Sequence, residues 1–291
     1  MRGVGALLRV VMAFAVSACG AGVAPSVRPA PVPSAPAPSA PTAPVATRYS
    51  APLLVTDARY RVESVASLER DSAGRRESQR ITSRADVTVR VHRQGNGDFA
   101  ASGRVRGYSV STPLTSTPIV IDSLRFNAVL DASALRVVTD PPLANECDRA
   151  ETGALALVRD LLIRVPAAIA VGDSWRDSTV QIVCRSSVPI IVHTTNEYTL
   201  AGAERRGDDT ELLVRRRSAS RLEGKTSSPW RSVDVNGTGN GTLEARVSLV
   251  SGAVRRVEGT TTLTLSMSET STTTGPRAQQ VTQRVTYRAE P

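Results

Sequence analysis

The chain has 291 residues and a formal net charge of +9, yet only 3% of it is aromatic. Such an excess of cations invites a nucleic-acid reading, but Lys225 is the only lysine and the arginines are scattered along the chain beside Asp and Glu. With so few rings to stack on bases, nucleic acid is excluded as a partner, and weak attraction to anionic headgroups or polysaccharide is the most the charge implies.

Arg2 and Arg9 form a positive n-region, and Val10 to Val16 a short apolar h-region before small residues. The run falls far below the ~20 apolar residues that span a bilayer, so a permanent transmembrane helix is not expected. Val16-Ser-Ala-Cys19 resembles the lipobox of a bacterial lipoprotein, with valine where that family usually has leucine. The resemblance implies a signal peptide over 1–18 and acylation of Cys19 by diacylglycerol and, in many bacteria, palmitate. Each buried methylene contributes ~0.8 kcal/mol, so two or three chains anchor firmly. The alternative is an ordinary secretory signal cut after Ala18, leaving a free thiol. Position 20 is Gly, not Asp; by resemblance to Gram-negative sorting rules this places the protein in the cell envelope, at the outer membrane facing the periplasm or at the cell surface.

Residues 19–52 read as a lipidated cysteine followed by a disordered linker. Ala30 to Pro44 is a Pro/Ala/Ser run in which every second or third backbone lacks an N–H, so neither ladder nor helix is available. Extended polyproline II at ~3.1 Å per residue sets an upper bound of about 90 Å between lipid and folded body.

Residues 53–291 read as a single mostly-β domain. Ala85, Val87, Val89 and Val91 alternate with Asp86, Thr88, Arg90 and His92, the pattern of a strand buried on one face. Turn signals at Asp71–Gly74 and Gly95–Asp98 flank it. Cys147 and Cys184, in an oxidising compartment, suggest one disulfide rather than two free buried thiols. Closing that loop would remove roughly 4 kcal/mol of denatured-state entropy. From Asp148 to Val165, Leu155, Val158, Leu162 and Val165 follow helical spacing, with Asp148 or Thr152 as cap and Pro166 as stop. Glu146, Asp148 and Glu151 suit the helix dipole without a catalytic role.

Beyond the helix, Gly172-Asp173 reads as a tight turn. Trp175 reads as a plug of the sheet edge or helix–sheet seam whose indole N–H finds an acceptor, with ligand contact as the alternative. The acids Asp208, Asp209 and Glu211 form an exposed turn at Gly207–Asp209. Gly237, Gly239 and Gly241 lack the Lys-Ser/Thr and helix start of a phosphate loop, and read as a bend or bulge. Leu243 to Leu249, Val257 to Met267 and Val281 to Tyr287 then alternate again, split by Ser251-Gly252. The fold class expected is a long curved antiparallel sheet or half-barrel of about ten to twelve strands covered by one amphipathic helix over 148–165. A transmembrane barrel is rejected, because so few aromatics cannot supply its girdles.

The segment Val165 to Trp175, with Gly237 to Thr242, is similar to elements of secreted bacterial families in which a helix ends at proline before a Val-Gly-Asp-x-Trp strand start. The lipidated helix-plus-curved-sheet layout resembles the lipoprotein-carrier superfamily of LolA, LolB and LppX types, which implies a half-barrel holding acyl chains. No nucleophile elbow, zinc motif or triad stands out, so no enzyme activity and no cofactor are expected. His92 and His193 read as solvated or satisfied residues, and with two distant cysteines they have no metal-ligand spacing. Two functions are carried forward. In one, a concave apolar face lined by Val87, Val89, Leu263, Leu265 and Met267, with Trp175, holds a lipid or other apolar ligand. In the other, a filled interior makes a structural protein that docks on an envelope partner.

Overall fold

Period-two alternation builds nearly everything in the computed structural model, which describes residues 47–50, 57–72, 75–94, 98–113, 119–131, 133–141, 149–185, 188–272 and 275–291. The chain divides after Pro44, and the unit Val45–Pro291 contains all of them. Cys19, the Pro/Ala/Ser run and Cys147 lie outside the described residues, as does the Cys184 side chain; the lipidation and the disulfide are therefore not addressed by the fold.

In chain order the elements are β1 (Arg48–Tyr49), β2 (Ala58–Ser72), β3 (Arg75–Arg93), β4 (Phe99–Ser111), β5 (Ile119–Leu130) and β6 (Ala134–Thr139). Then come α1 (Arg149–Arg159), β7 (Ile169–Ala170), β8 (Ser174–Arg185) and β9 (Val188–Arg206). The last four are β10 (Asp209–Ser228), β11 (Arg231–Ser248), β12 (Val254–Ser271) and β13 (Gly275–Glu290). Glycine at positive φ makes the turns that the sequence marked, at Gly172 (96°), Gly207 (61°) and Gly252 (68°). Asp173 completes the first of these by accepting the Ala170 N–H at 2.9 Å.

Eleven strands close into a barrel in the order β10-β11-β12-β13-β2-β3-β4-β5-β6-β8-β9, and β9 returns to β10. The expected open half-barrel is thereby corrected. Alternation marks which face of each strand is buried, but closure depends on two pairings far apart in sequence. The first is β13 against β2, antiparallel from Gln280–Asp71 to Glu290–Arg61. The second is β6 beside β8, parallel and joined only at Ala134–Ser178 and Leu135–Thr179. Bulges at Arg84/Asp86, Leu213/Val214 and Arg246/Val247 sharpen the local bend that curvature requires. A separate two-stranded ribbon pairs β1 with β7, so Arg48 and Tyr49 belong to the folded body and not to the linker assigned to 19–52.

The helix sits inside. Tyr287 on β13 donates its hydroxyl to the Leu157 carbonyl of α1 at 2.8 Å. Gly153 of α1 approaches Tyr108 of β4 so closely that a Cβ there would lie 2.3 Å from its hydroxyl. Helical structure stops at Arg159, six residues before the expected end at Val165. Leu161, Leu162 and Ile163 are all buried, and three successive positions cannot share one apolar stripe of a helix. The chain therefore extends, after a tight final turn in which the Leu161 and Leu162 N–H groups donate to Val158 and Arg159 carbonyls at 3.0 and 3.2 Å.

The outer wall is mostly polar, although Val129, Val138, Val180 and Ile191 are exposed on β5, β6, β8 and β9. On β10, Arg215, Arg217, Arg221 and Lys225 point to water, and the neighbouring strands add Glu197, Asn236, Asn240, Glu244 and Glu258. Many pair across strands, for example Arg176–Glu197 at 2.7 Å and Arg215–Glu244 at 3.1 Å. Exposed pairs of this kind contribute little stability each. Their importance is geometric, because an apolar outward band about 25 Å tall is what a membrane-spanning barrel needs. No helix among the described residues is long and apolar enough to cross a bilayer.

Candidate ligand site inside the barrel

Inward side chains form two apolar clusters. The larger packs around α1 and includes Val62, Val105, Phe126, Val158, Leu200 and Val214. The smaller caps the other end with Val188, Ile190, Leu222, Val235, Met267 and Val281. Between them lies a cavity of about 400 Å³, bounded by α1 and by inward positions of several strands. Its volume falls in the range of about 300–1,000 Å³ usual for small-molecule sites.

One end of this cavity is charged. Asp160, just past α1, accepts a hydrogen bond from Arg216 Nη1 at 2.6 Å, and their side chains are only 14% and 10% exposed. Arg159 donates to the Gln181 carbonyl oxygen on β8. Burial pushes the Asp160 carboxyl up, but Arg216 and then Arg159 outweigh it and hold the group below its ordinary value. Burial likewise depresses the Arg216 guanidinium, and Asp160 followed by Tyr198 more than reverses this. The Arg216 Nε is buried with no hydrogen-bond partner among the described residues.

The other end is aliphatic, with Ile190, Val192, Leu222, Leu263 and Leu265. Leu263 and Leu265 reach it by leaning over glycines. A Cβ at Gly239 would sit 2.3 Å from Leu263 Cδ2, and one at Gly237 would sit 2.7 Å from Leu265 Cδ2. Gly237, Gly239 and Gly241 are thus regular members of the β11 ladder, opposite Leu265, Leu263 and Thr261. The expected bend or bulge is not there; the glycines make room for side chains of the next strand.

Of the residues the sequence singled out as ligand-facing, Leu263 and Leu265 line the cavity, while Met267 is in the small apolar cluster beside it. Val87 and Val89 are buried around α1, away from the cavity lining. Trp175 is elsewhere: it stacks on its cross-strand neighbour Tyr198, with ring centroids 5.2 Å apart and planes 7° from parallel. Its indole N–H is buried without the expected acceptor among the described residues. His92 faces outward, and His193 lies 3.9 Å from Glu223 on the outer wall. The charged end was missed by sequence reasoning, although Arg216 carried a signal. It occupies the buried parity of β10, in the series Leu212, Val214, Arg216, Ser218, Ser220 and Leu222.

A polar network supports this end from behind. Asn196 Nδ2 and the Tyr198 hydroxyl donate to the two oxygens of Asp177, at 2.8 and 3.0 Å. Burial raises the Asp177 carboxyl above its ordinary value of 3.8, against those two hydrogen bonds and the nearby Arg216 charge. The fold thus favours the neutral acid, and the stability this group contributes is present at low pH and lost as pH rises through its folded value. Asp177→Asn should consequently change the pH profile. In urea unfolding, the stability of wild type relative to the variant is expected to decline as pH is raised from 3.8 toward neutrality. A difference that stays level over that range would contradict the assignment.

No protein-family model matches the chain, and no curated protein does. Among solved structures, a mutant of the Rh. blastica porin aligns over 78% of this chain and 99% of its own, at 6% identity and a TM-score of 0.21. OpdQ of Pseudomonas aeruginosa aligns over 81% and 100%, at 7% identity and a TM-score of 0.21. Superposition this poor carries no argument, and the chain's own geometry has to supply the function.

A larger depression of about 740 Å³ opens on the outer wall between Arg215, Glu244, Glu258 and Arg288. Those charges already pair with one another or with neighbours, as in Arg215–Glu244 at 3.1 Å and Arg288–Glu290 at 2.5 Å. It is an open groove on the outer wall whose charged rim is already paired, with Val65, Leu243 and Tyr287 also in its lining.

Proposed function

We propose that this is a non-enzymatic, lipid-anchored protein of the bacterial cell envelope that holds an apolar ligand within its barrel. The observation that carries the reading is the interior cavity, which lies between two aliphatic clusters inside the barrel. The lining is mixed, and a ligand whose apolar part covers its aliphatic side chains stabilises the fold by mass action. The anchor is proposed on the Val16-to-Cys19 motif, with the Pro/Ala/Ser run as tether to an outer-membrane leaflet. The competing reading, a structural protein with a filled interior, is supported by α1, which occupies the part of the lumen around Ala154 and Val158. It leaves the space beyond Arg159 without a role.

The test has two parts. Wild-type protein expressed in a lipid-rich bacterial host is expected to stay with membranes through a carbonate wash, and Cys19→Ser to move to the soluble fraction; a variant that remains membrane-bound overturns the anchor. Native mass spectrometry of the released Cys19→Ser chain is expected to show protein carrying a small bound mass. Repeated ligand-free spectra would favour the structural reading.

A further inference from the structure

The charged end of the cavity is out of balance. Its lining brings two guanidinium groups, Arg159 and Arg216, to a single carboxylate, Asp160. Asp160 takes one donor of Arg216, and the acceptor of Arg159 is the neutral amide of Gln181. The Nε of Arg216 faces no acceptor among the described residues. The nearest further acid, Asp177, is behind the lining and already receives Asn196 and Tyr198. A buried cation without an anion is expensive, and a donor left unmatched in low dielectric adds to the cost. An arginine fork matches a carboxylate or phosphate oxygen pair best. The opposite end brings Ile190, Leu222, Leu263 and Leu265 to the lining, with the uncharged Gln283 across from Leu263 and no ionisable group.

Building on the ligand-holding reading above, we infer that the ligand is a single-chain anionic amphiphile, its acidic group on Arg216 and Arg159 and its tail against Leu263 and Leu265. The volume of about 400 Å³ suits one chain and not several. The orientation follows from the chemistry: the acidic group lies at the α1 end and the tail terminus at the Met267 end.

The test compares three probes of equal tail on the full chain carrying Cys19→Ser, stripped of endogenous lipid, by isothermal titration calorimetry. Dodecanoate is expected to bind at one site per chain, dodecanol at least about tenfold more weakly, and dodecyltrimethylammonium not at all, since a charge-assisted hydrogen bond is worth about 1.5–3 kcal/mol or roughly ten- to hundredfold. Dodecyl phosphate competing with dodecanoate distinguishes a phosphate headgroup from a carboxylate; either winning supports the inference. Arg216→Gln is expected to abolish the preference for dodecanoate over dodecanol. Arg159→Gln, whose own acceptor is the neutral Gln181, is expected to do the same and decides the matter if Arg216→Gln does not fold. Equal binding of dodecanoate and dodecanol overturns the anionic headgroup and leaves the apolar-ligand reading standing. Absence of binding by every probe overturns both.

Discussion

Asp160→Ala is expected to destabilise the fold by about 3–5 kcal/mol, the range for breaking a buried ion pair from one side. The substitution removes the oxygen that Arg216 Nη1 meets at 2.6 Å, in a pair whose side chains are 14% and 10% exposed. What remains is a buried guanidinium with Arg159 close by and no carboxylate in the cavity lining to offset either. Because 56 residues separate the partners, the pair also ties the end of α1 to β10. Urea unfolding with an unchanged m-value is the measurement. A loss below about 1 kcal/mol, the ceiling for exposed pairs, would show that water reaches the site freely.

The pair of changes Asp160→Leu with Arg216→Met separates charge from packing. Replacing both members by apolar groups of similar volume is often neutral or better, so the double variant should recover most of the loss. The sign of the pH effect is opposite to that of Asp177. The Asp160 carboxyl is held below its ordinary value of 3.8, so its contribution is complete above that value and disappears as pH falls through the folded one. The gap between wild type and Asp160→Ala should accordingly narrow on acidification.

Phe126→Ala on β5 is expected to cost about 3–5 kcal/mol, as for other buried aromatics cut to alanine. Phe126 is 1% exposed and lies directly opposite Gly103 of β4. Two of its ring carbons are 2.5 and 2.7 Å from the place where a Gly103 Cβ would stand. The ring therefore covers bare glycine backbone, the pairing by which an aromatic neighbour rescues a glycine in a sheet. Truncation leaves a void and exposes that backbone together. The obvious repair, adding a methyl at Gly103, should fail, because the same Cβ would be 2.1 Å from the Thr88 carbonyl oxygen of β3. Gly103→Ala combined with Phe126→Ala is expected to be less stable than Phe126→Ala alone; a double variant more stable than the single would refute the packing described.

These two sites differ in how far they could be read in advance. Phe126 belongs to a strand with hydrophobic alternation, and its burial needs only the period of two. That it lies on Gly103 needs the register between β4 and β5. Arg216 is visible as an intruder among the inward positions of β10, but its partner comes from just past the end of α1, 56 residues away, and no spacing announces it.

The sequence by itself determined the mostly-β class, the inward and outward sets on long strands such as β3 and β12, the presence of a helix within 148–165, and the turns at Gly172, Gly207 and Gly252. Each of these is local, since side-chain direction alternates along a strand and glycine permits positive φ wherever the chain needs it. Tertiary structure decided the rest: that the sheet closes, that β6 and β8 meet in parallel, that α1 stops at Arg159, and that charge and aliphatic surface face each other across one cavity. Periodicity states which side of a strand is buried and says nothing about which strand lies beside it. Closure sums small twists and bulges over eleven neighbours, and only that sum brings Arg216 to Asp160.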